Sequence, residues 1–193
     1  MAHSKQYDYI IIGNGLAGFQ LALALSKDSF FNDKQIALID KSHKTQNDKT
    51  WSFWEKGNGK WESIVSKTWS KALFFSSKME LNIELAPYKY KTIQALDFYT
   101  KVTHLLKEKT NFDFIVEDVL TVEKTKHPKV ITTNNFYNAK HVFDSRITED
   151  YFSESDNFTK IIQHFKGWII ETKVPVFSPD QFTFSESIKI ISF

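Results

Sequence analysis

The fold is decided by residues 9–20, Tyr-Ile-Ile-Ile-Gly-Asn-Gly-Leu-Ala-Gly-Phe-Gln. The stretch opens with a short, uninterrupted run of β-branched and aromatic residues, which is typical of a strand buried on both faces. A Gly-x-Gly-x-x-Gly pattern at Gly13, Gly15 and Gly18 follows, and it leads into an apolar stretch without a helix breaker. This order of strand, turn and helix predicts the first half of a βαβ unit that binds a dinucleotide.

Each glycine of the pattern has a predicted role. Gly13 permits the tight turn out of the strand, Gly15 lets a pyrophosphate approach the backbone, and Gly18 lets the helix pack closely on the sheet. The first amides of the helix, at Leu16 and Ala17, then point with the positive end of the helix dipole toward the phosphates. We therefore predict cofactor contacts at all five positions. The alternative is an ordinary strand–turn–helix in which the glycines serve packing only.

A second apolar run, residues 35–40, ends in Asp40 and completes the βαβ pattern. A carboxylate at this position is suited to accept hydrogen bonds from ribose hydroxyls, although a capping role at the strand end is the simpler alternative. The glycine pattern does not choose between FAD and NAD. Because the pattern lies at the extreme N-terminus of the sequence, as in many flavoproteins, FAD is the preferred prediction.

The composition excludes several classes of function. The 193 residues include 25 Lys and Arg and 23 Asp and Glu, so the net charge of +2 indicates no nucleic-acid partner. The absence of cysteine excludes disulfides, thiolate metal sites and a Cys nucleophile, and the histidines show no metal-ligand spacing. Aromatic residues make up 16% of the chain, which predicts either a Phe-rich core or a surface that meets an apolar ligand.

Neither a signal peptide nor a membrane-spanning segment is predicted. No apolar run is long enough to cross a bilayer, and the N-terminal residues lack an apolar signal core. We predict a cytoplasmic protein, with contact to a membrane surface left open.

The remaining pattern predicts a two-part α/β chain. A polar loop is expected at 41–50, and apolar runs predict strands at 71–76, 79–85 and 112–119, a helix spaced from Ile93 to Leu106, and an antiparallel meander at 120–142. We predict a Rossmann-like dinucleotide domain of the flavoprotein type at 1–150, with inserted antiparallel strands at about 68–90. Residues 151–193 are predicted to begin a second, substrate-binding domain.

Three segments resemble bacterial-type lycopene β-cyclases. Residues 47–54, Asn-Asp-Lys-Thr-Trp-Ser-Phe-Trp, are similar to an aromatic segment that follows the second dinucleotide strand in that family. Residues 143–146, Phe-Asp-Ser-Arg, resemble the end of a later strand of the flavin domain. Residues 163–172, Gln-His-Phe-Lys-Gly-Trp-Ile-Ile-Glu-Thr, resemble the opening of the family's substrate domain. The resemblance runs from about residue 7 to residue 180.

The resemblance implies a flavoprotein that closes the ends of lycopene into β-ionone rings. In the family this reaction is redox-neutral but needs reduced FAD, with NAD(P)H as the usual electron source. A carboxylic acid protonates the terminal alkene, and the carbocation that forms needs a dry, electron-rich surrounding. The resemblance places Trp51, Phe53 and Trp54 as the wall of that surrounding, Asp48 beside the flavin or the isoprene end, and Arg146 near the cofactor. The alternatives are an aromatic core, a solvated carboxylate and a structural salt bridge.

The resemblance does not supply a catalytic acid. Glu171 lies in an apolar stretch where burial would raise its pKa, but the family's acid is expected further along the chain. Family members are about twice this long, as a second full domain requires, and the tail at 182–193 departs from their pattern, so a truncated member is expected. Two alternatives stay open, a non-catalytic FAD-binding remnant and a flavin-dependent monooxygenase or oxidoreductase. The oligomeric state is not predicted.

Overall fold

A computed structural model of the chain describes residues 4–147, 152 and 171–185. It divides the chain into two compact units, the first formed by Met1–Asp48 with Leu96–Glu154 and the second by Lys49–Ala95 with Ser155–Phe193. The helices and strands of the described part, in chain order, are β1 (Ser4–Ile12), α1 (Leu16–Leu25), β2 (Ile36–Asp40), β3 (Thr50–Lys56), β4 (Val65–Trp69), β5 (Lys71–Phe75), β6 (Glu80–Glu84), β7 (Tyr88–Gln94), α2 (Ala95–Lys107), β8 (Phe112–Val116), β9 (Val119–Glu123), β10 (Lys129–Thr132), β11 (Phe136–Asp144) and β12 (Gln181–Ser185).

The first unit is built on a six-stranded sheet in the order β8-β2-β1-β11-β10-β9. Strands β8, β2, β1 and β11 run parallel, whereas β10 and β9 pair antiparallel. The chain leaves β1 toward β2 on one side and later returns through β11 on the other side of β1. Ligands of open α/β sheets bind beyond the carboxyl ends of the strands at such a reversal.

The apolar runs of β1 and β2 form the centre of this sheet. Ile10 and Ile12 of β1 pack with Ala37 and Ile39 of β2 in one buried cluster, and all five residues of β2 are buried. Continuous burial on both faces explains why neither strand alternates between apolar and polar residues. The carboxyl ends of the two strands are thereby held side by side, with the backbone amide of Gly13 donating to the carbonyl of Ile39 at 2.8 Å.

The second unit contains two three-stranded sheets, β3-β7-β4 and β12-β5-β6. One face of the β12-β5-β6 sheet is apolar, because directly opposed residues in neighbouring strands point to the same face. The residues of this apolar face stand in two rows, Phe182–Ala72–Ile83 and Phe184–Phe74–Leu81. Phe182 also lies in an aromatic cluster with three residues of the other sheet, Trp54, Trp69 and Tyr90, at centroid distances of 6.0, 5.9 and 4.6 Å.

A buried lysine stabilises the β3-β7-β4 sheet. The side chain of Lys91 is only 1% exposed, and its ammonium donates to Glu55 at 2.8 Å, to the carbonyl of Gly57 at 2.7 Å and to Glu62. The three donors of the ammonium therefore meet three acceptors, which offsets the cost of burying its charge. This arrangement holds the segment after β3 against the sheet.

The α/β fold with a flavoprotein-type sheet is confirmed, and several boundaries differ from the sequence prediction. The apolar spacing that begins at Ile93 does not begin the helix there, because Ile93 lies in β7 and α2 begins at Ala95. The backbone amide of Leu96 is capped by the side chain of Asn47 at 3.3 Å, a contact that local spacing does not encode. The expected single strand at 112–119 is instead β8 followed by the start of β9.

The inserted strands are also more extensive than the expected 68–90, since they run from Thr50 to Gln94. Strand β12 from the tail pairs in parallel with β5 of the insertion. Residues 163–170 of the third resembling segment lie outside the described residues. The assignment of 151–193 to the start of a substrate domain stays a prediction.

Candidate dinucleotide-binding site

The turn between β1 and α1 is shaped by two close approaches. Gly13 has a φ of +93°, a conformation that L side chains rarely adopt, and a Cβ there would overlap the hydroxyl oxygen of Ser145. That hydroxyl donates to the carbonyl of Ile12 at 2.8 Å and ties the end of β11 to the turn. A Cβ on Gly18 would overlap the carbonyl oxygen of Gly13, so α1 packs directly against the turn.

Gly15 differs from the other two glycines because its surroundings are open. No heavy atom lies within 4 Å of the position that a Cβ would take, and its backbone is extended, with φ −81° and ψ −164°. A side chain would fit here without strain in the protein, so the glycine is not required by the fold. Open space above a glycine backbone is what the approach of a pyrophosphate needs.

The N-terminus of α1 offers amide donors beside this open space. Gly15 is the N-cap residue and supplies no side-chain hydrogen bond, and the first turn holds no acidic residue. The amides of Leu16, Ala17 and Gly18 are among the donors that an α-helix leaves without an intrahelical partner. With the helix dipole, they form a site for an anion such as a phosphate.

Asp40 lies at the carboxyl end of β2 and contacts the same turn. Its carboxylate accepts hydrogen bonds from the backbone amide of Asn14 at 2.7 Å and from the amide and hydroxyl of Ser42 at 2.9 and 3.0 Å. The ammonium of Lys44 lies 3.0 Å away. Burial acts to raise the pKa of the Asp40 carboxyl, but these donors outweigh it and lower the pKa below its ordinary value.

A cavity of about 280 Å³ lies at the carboxyl ends of β1 and β2. Its lining includes three residues that the sequence singled out for cofactor binding, Gly13, Asp40 and Arg146. The structure therefore brings them to one site from positions up to 133 residues apart in the chain. Its volume is just below the range of about 300–1,000 Å³ that small-molecule pockets occupy, which suits part of a dinucleotide.

The guanidinium of Arg146 is held by the protein itself. It donates to the carboxylate of Asp144 at 2.7 Å, to the same carboxylate from Nε at 3.0 Å, and to the carbonyl oxygen of Val119. The hydrogen bonds to Asp144 raise the pKa of Arg146 further, so it stays charged. Arg146 thus contributes positive charge to the cavity. It also forms a salt bridge with Asp144, which was the simpler expectation from the sequence.

Sequence reasoning missed Asn14, Ser42, Lys44, Glu117 and Ser145. Glu117 lines the cavity and accepts hydrogen bonds from Asn135 at 2.7 Å and Tyr137 at 3.2 Å, which fixes its carboxylate. Lys44 and Ser42 carried a local signal, a basic residue four positions and a serine two positions after Asp40. The contacts of Asn14, Glu117 and Ser145 depend on the register of strands that are distant in sequence.

The structure divides the predicted aromatic wall between two faces. Residues 50–56 form strand β3, and side chains alternate along a strand. Trp51 and Phe53 therefore share one face, while Trp54 points to the other and packs against Tyr90, with tilted rings whose centroids are 4.8 Å apart. A single continuous wall of all three residues is not formed. Their contact with a flavin or a hydrocarbon stays a prediction.

Two carboxylates singled out in the sequence have different surroundings. Asp48 is exposed and accepts a hydrogen bond from the hydroxyl of Tyr99 at 3.1 Å; burial of the ring together with this bond raises the pKa of Tyr99 to about 12. Glu171 is exposed and lies outside any helix or strand, so the expectation that it sits buried in an apolar strand is wrong. The burial that would suit it to act as a general acid is absent.

The described residues contain neither a metal-binding cluster nor a membrane-spanning helix. Among residues 4–147, 152 and 171–185, no group of three or more His, Asp or Glu side chains could hold a metal ion. Over the same residues, no helix is both long enough and apolar enough to cross a membrane.

The comparison with protein families identifies the chain. The model of the family described as lycopene cyclase protein matches residues 8–186. The chain belongs to the lycopene cyclase family. The resemblance drawn from three short segments is thus confirmed over nearly the whole length of the chain. No curated protein shows a significant match to this lycopene cyclase family member.

Solved structures share the fold at low sequence identity. PqsL, a probable FAD-dependent monooxygenase from Pseudomonas aeruginosa, matches with 9% identity and a TM-score of 0.53 over 72% of this chain and 42% of its own. The halogenase PltM, solved in complex with phloroglucinol and FAD, matches with 10% identity and a TM-score of 0.54 over 72% of this chain and 34% of its own. The chain spans less than half of the length of either protein, and at these identities the similarity shows the fold alone.

Proposed function

We propose that this chain binds FAD and serves the cyclisation of the ends of lycopene to β-ionone rings. The family match over residues 8–186 carries the proposal. The site supports it, because an open Gly15, the amides at the start of α1 and the carboxylate of Asp40 fit the pyrophosphate and ribose of an adenine dinucleotide. NAD(P)H is the proposed source of electrons for the flavin.

The proposed reaction is an isomerisation without net redox change. Reduced FAD, when bound, supplies negative charge beside the positive charge that develops as the ring closes. The residues of this chain hold the cofactor: the turn at Gly13 and Gly15 receives the phosphates, Asp40 receives the ribose, and Arg146 adds positive charge to the cavity. Glu171 is not proposed as the acid that protonates the terminal alkene, because it is exposed.

Aromatic side chains of the second unit are the proposed hydrocarbon contacts. Trp51 and Phe53 share one face of β3, and Trp54 belongs to the cluster with Trp69 and Tyr90 on the opposite face. Aromatic faces attract cations through their quadrupole, by about 0.5–2 kcal/mol for each contact. We propose that the Trp51 and Phe53 face meets the polyene, with Asp48 near its end or near the flavin.

The cyclase proposal is tested in cells that accumulate lycopene. Expression of the chain with FAD and NADPH is expected to give only a low level of β-carotene, detected by pigment chromatography, because no described residue of the chain is proposed as the acid that protonates lycopene. Gly15→Val is the matched control, because the space around Gly15 and its extended backbone accept a side chain while the approach of a phosphate is blocked. Soluble native protein that leaves lycopene unchanged would contradict cyclase activity in this chain.

A second candidate is an FAD-binding chain without cyclase activity. The exposure of Glu171, the carboxylate that the sequence singled out as a candidate acid, favours this candidate. It predicts flavin absorbance on the purified protein with no pigment change. A flavin monooxygenase would instead consume oxygen together with NADPH, which oxygen-electrode measurements detect.

Contact with a lipid bilayer follows from the proposed substrate, a long hydrocarbon. The apolar face of the β12-β5-β6 sheet supports it, since Leu81, Ile83 and Phe184 are 47%, 37% and 48% exposed. Leu81→Glu is expected to lower co-sedimentation with liposomes, whereas Asn82→Glu on the opposite face of the same strand is expected to leave it unchanged. Equal binding by both variants would contradict a role for this face.

A further inference from the structure

The ammonium of Lys44 is paired with Asp40, and both residues line the cavity. Lys44 is four residues after Asp40, its φ is +54°, and its side chain is 19% exposed, so it lies folded against the site. We propose that Lys44 is a positioning residue that transfers from the carboxylate of Asp40 to a phosphate when an adenine dinucleotide binds. This inference rests on the proposed function, because it concerns the same site.

The transfer follows from counting the acceptor sites of Asp40. An ionised carboxylate has about four lone-pair positions. On one oxygen, Asn14 and Lys44 donate at 2.7 and 3.0 Å; on the other, the amide and hydroxyl of Ser42 donate at 2.9 and 3.0 Å. All four positions are therefore taken by protein donors. A ribose hydroxyl can donate to Asp40 only after one of these donors moves.

The position of Lys44 makes it the donor that yields. The amides of Asn14 and Ser42 are backbone groups, fixed by the turn and by the end of β2, and the hydroxyl of Ser42 belongs to a residue outside the lining of the 280 Å³ cavity. Lys44 and Asp40 both line the 280 Å³ cavity, whereas Ser42 lines only a smaller cavity that it shares with Lys44. Of the residues that donate to Asp40, Lys44 is thus the one that a ligand in the larger cavity would meet.

A displaced ammonium needs a new anion, and a phosphate on the turn provides one. Arg146 is already engaged by Asp144 and the carbonyl of Val119. When the ribose binds to Asp40, the ammonium of Lys44 loses the carboxylate with which it was paired. The exchange replaces an ammonium–carboxylate pair by an ammonium–phosphate pair, so no buried charge is left without a partner.

The exchange couples ribose binding to phosphate binding, and calorimetric titration of the full chain with adenosine and with ADP measures it. Adenosine must break the ion pair without replacing it, so the native chain is expected to bind ADP much more tightly. In Lys44→Met, adenosine binding is expected to strengthen and ADP binding to weaken. The dissociation constant of adenosine divided by that of ADP is expected to be at least about fivefold smaller in Lys44→Met than in the native chain. Fivefold is the lower end of typical coupling between sites.

Two variants control for charge and for folding. Lys44→Arg keeps the positive charge and is expected to retain a ratio close to the native one. Lys41→Met removes another cation from the lining of the same cavity, one that forms no ion pair with Asp40 in the described part of the chain. It is expected to weaken the binding of the ADP anion and to leave the binding of uncharged adenosine unchanged, so stronger adenosine binding is specific to Lys44→Met. Urea denaturation checks that each variant is folded.

Two results would overturn the inference. If the ratio is unchanged in Lys44→Met while the native chain binds ADP, Lys44 is a structural partner of Asp40 only, and the proposed cofactor site stands. If the native chain binds neither ADP nor FAD, both the inference and the proposed function are wrong.

Discussion

The β1–α1 turn and the β3-β7-β4 sheet fix their geometry by opposite means. The turn depends on missing side chains, since a Cβ on Gly13 or Gly18 would overlap neighbouring atoms. The sheet depends on large side chains, among them the buried Lys91 and the packed rings of Trp54 and Tyr90. A site built from backbone leaves room for a ligand, whereas a sheet built from side chains fills its own interior. Substitutions in the turn are therefore expected to act by steric overlap, and substitutions in the sheet by the loss of side-chain contacts.

The largest effect is expected from Lys91→Met. The substitution leaves the carboxylates of Glu55 and Glu62 without their shared cation, and breaking a buried pair typically costs about 3 kcal/mol. Urea denaturation followed by tryptophan fluorescence measures the loss, because Trp54 and Trp69 lie in the same unit. Lys89→Met, at an exposed position of the same strand, is the control and should change stability by less than about 0.5 kcal/mol. Equal losses in both variants would contradict the stabilising role of the ion cluster.

Gly18→Ala should come next, with a loss of about 2 kcal/mol. The added methyl group overlaps the carbonyl oxygen of Gly13 and approaches a side-chain carbon of Ile11 at 3.2 Å, so α1 must move away from the turn. Chemical denaturation gives the size of the loss. Gly15→Ala, which adds the same methyl group in open space, should be within about 0.5 kcal/mol of the native protein. If the two alanines cost the same, the turn is not as closely packed as described.

A smaller loss, about 1 kcal/mol, is expected from Ser145→Ala. The hydroxyl of Ser145 donates to the carbonyl of Ile12 at 2.8 Å and joins β11 to the turn, and a hydrogen bond of this kind typically contributes this amount. Denaturant midpoints of the variant and the native chain give the difference. Unchanged stability would show that the turn is held by its backbone alone, unlike the sheet, which depends on side-chain contacts.

The smallest expected effect is the change in the stabilising contribution of Asp40 at acidic pH. The pKa of Asp40 is below its ordinary value in the folded chain, so the carboxylate stabilises the fold above the ordinary pKa of an aspartate and loses that contribution as the pH falls through the folded-state pKa. The stability gap between the native chain and Asp40→Asn is therefore expected to be full near neutral pH and to narrow in acid. Denaturant titrations at several pH values measure it. A gap that does not change with pH would contradict the assigned contacts of Asp40.

The parts of the fold that could be predicted from the sequence depend on neighbours in the chain. The buried strand β1, the glycine turn and the end of β2 at Asp40 all follow from local pattern, because burial on both faces and tight turns restrict residue type directly. The family was recognisable for the same reason, since its segments are contiguous in the chain. The central sheet and the position of the candidate site were therefore predictable.

The other features depend on contacts between distant residues. The start of α2 at Ala95 is set with the help of Asn47, and the strand nature of residues 50–56 is set by pairing with β7. The ion cluster of Lys91 joins residues 29 and 36 positions apart. Local pattern placed Trp51 and Trp54 together, but strand alternation puts them on opposite faces. Propensity does not encode pairing partners, so these errors fell in the inserted unit.

The most direct test of the central claim is a titration of the purified chain with FAD, followed by flavin fluorescence, in the native protein and in Gly15→Val. We predict saturable binding of one FAD per native chain and at least tenfold weaker binding in the variant, a difference of about 1.4 kcal/mol, with both proteins equally stable. No saturable binding to the native chain, or equal affinity in the folded variant, would contradict the claim that the open backbone at Gly15 receives the dinucleotide.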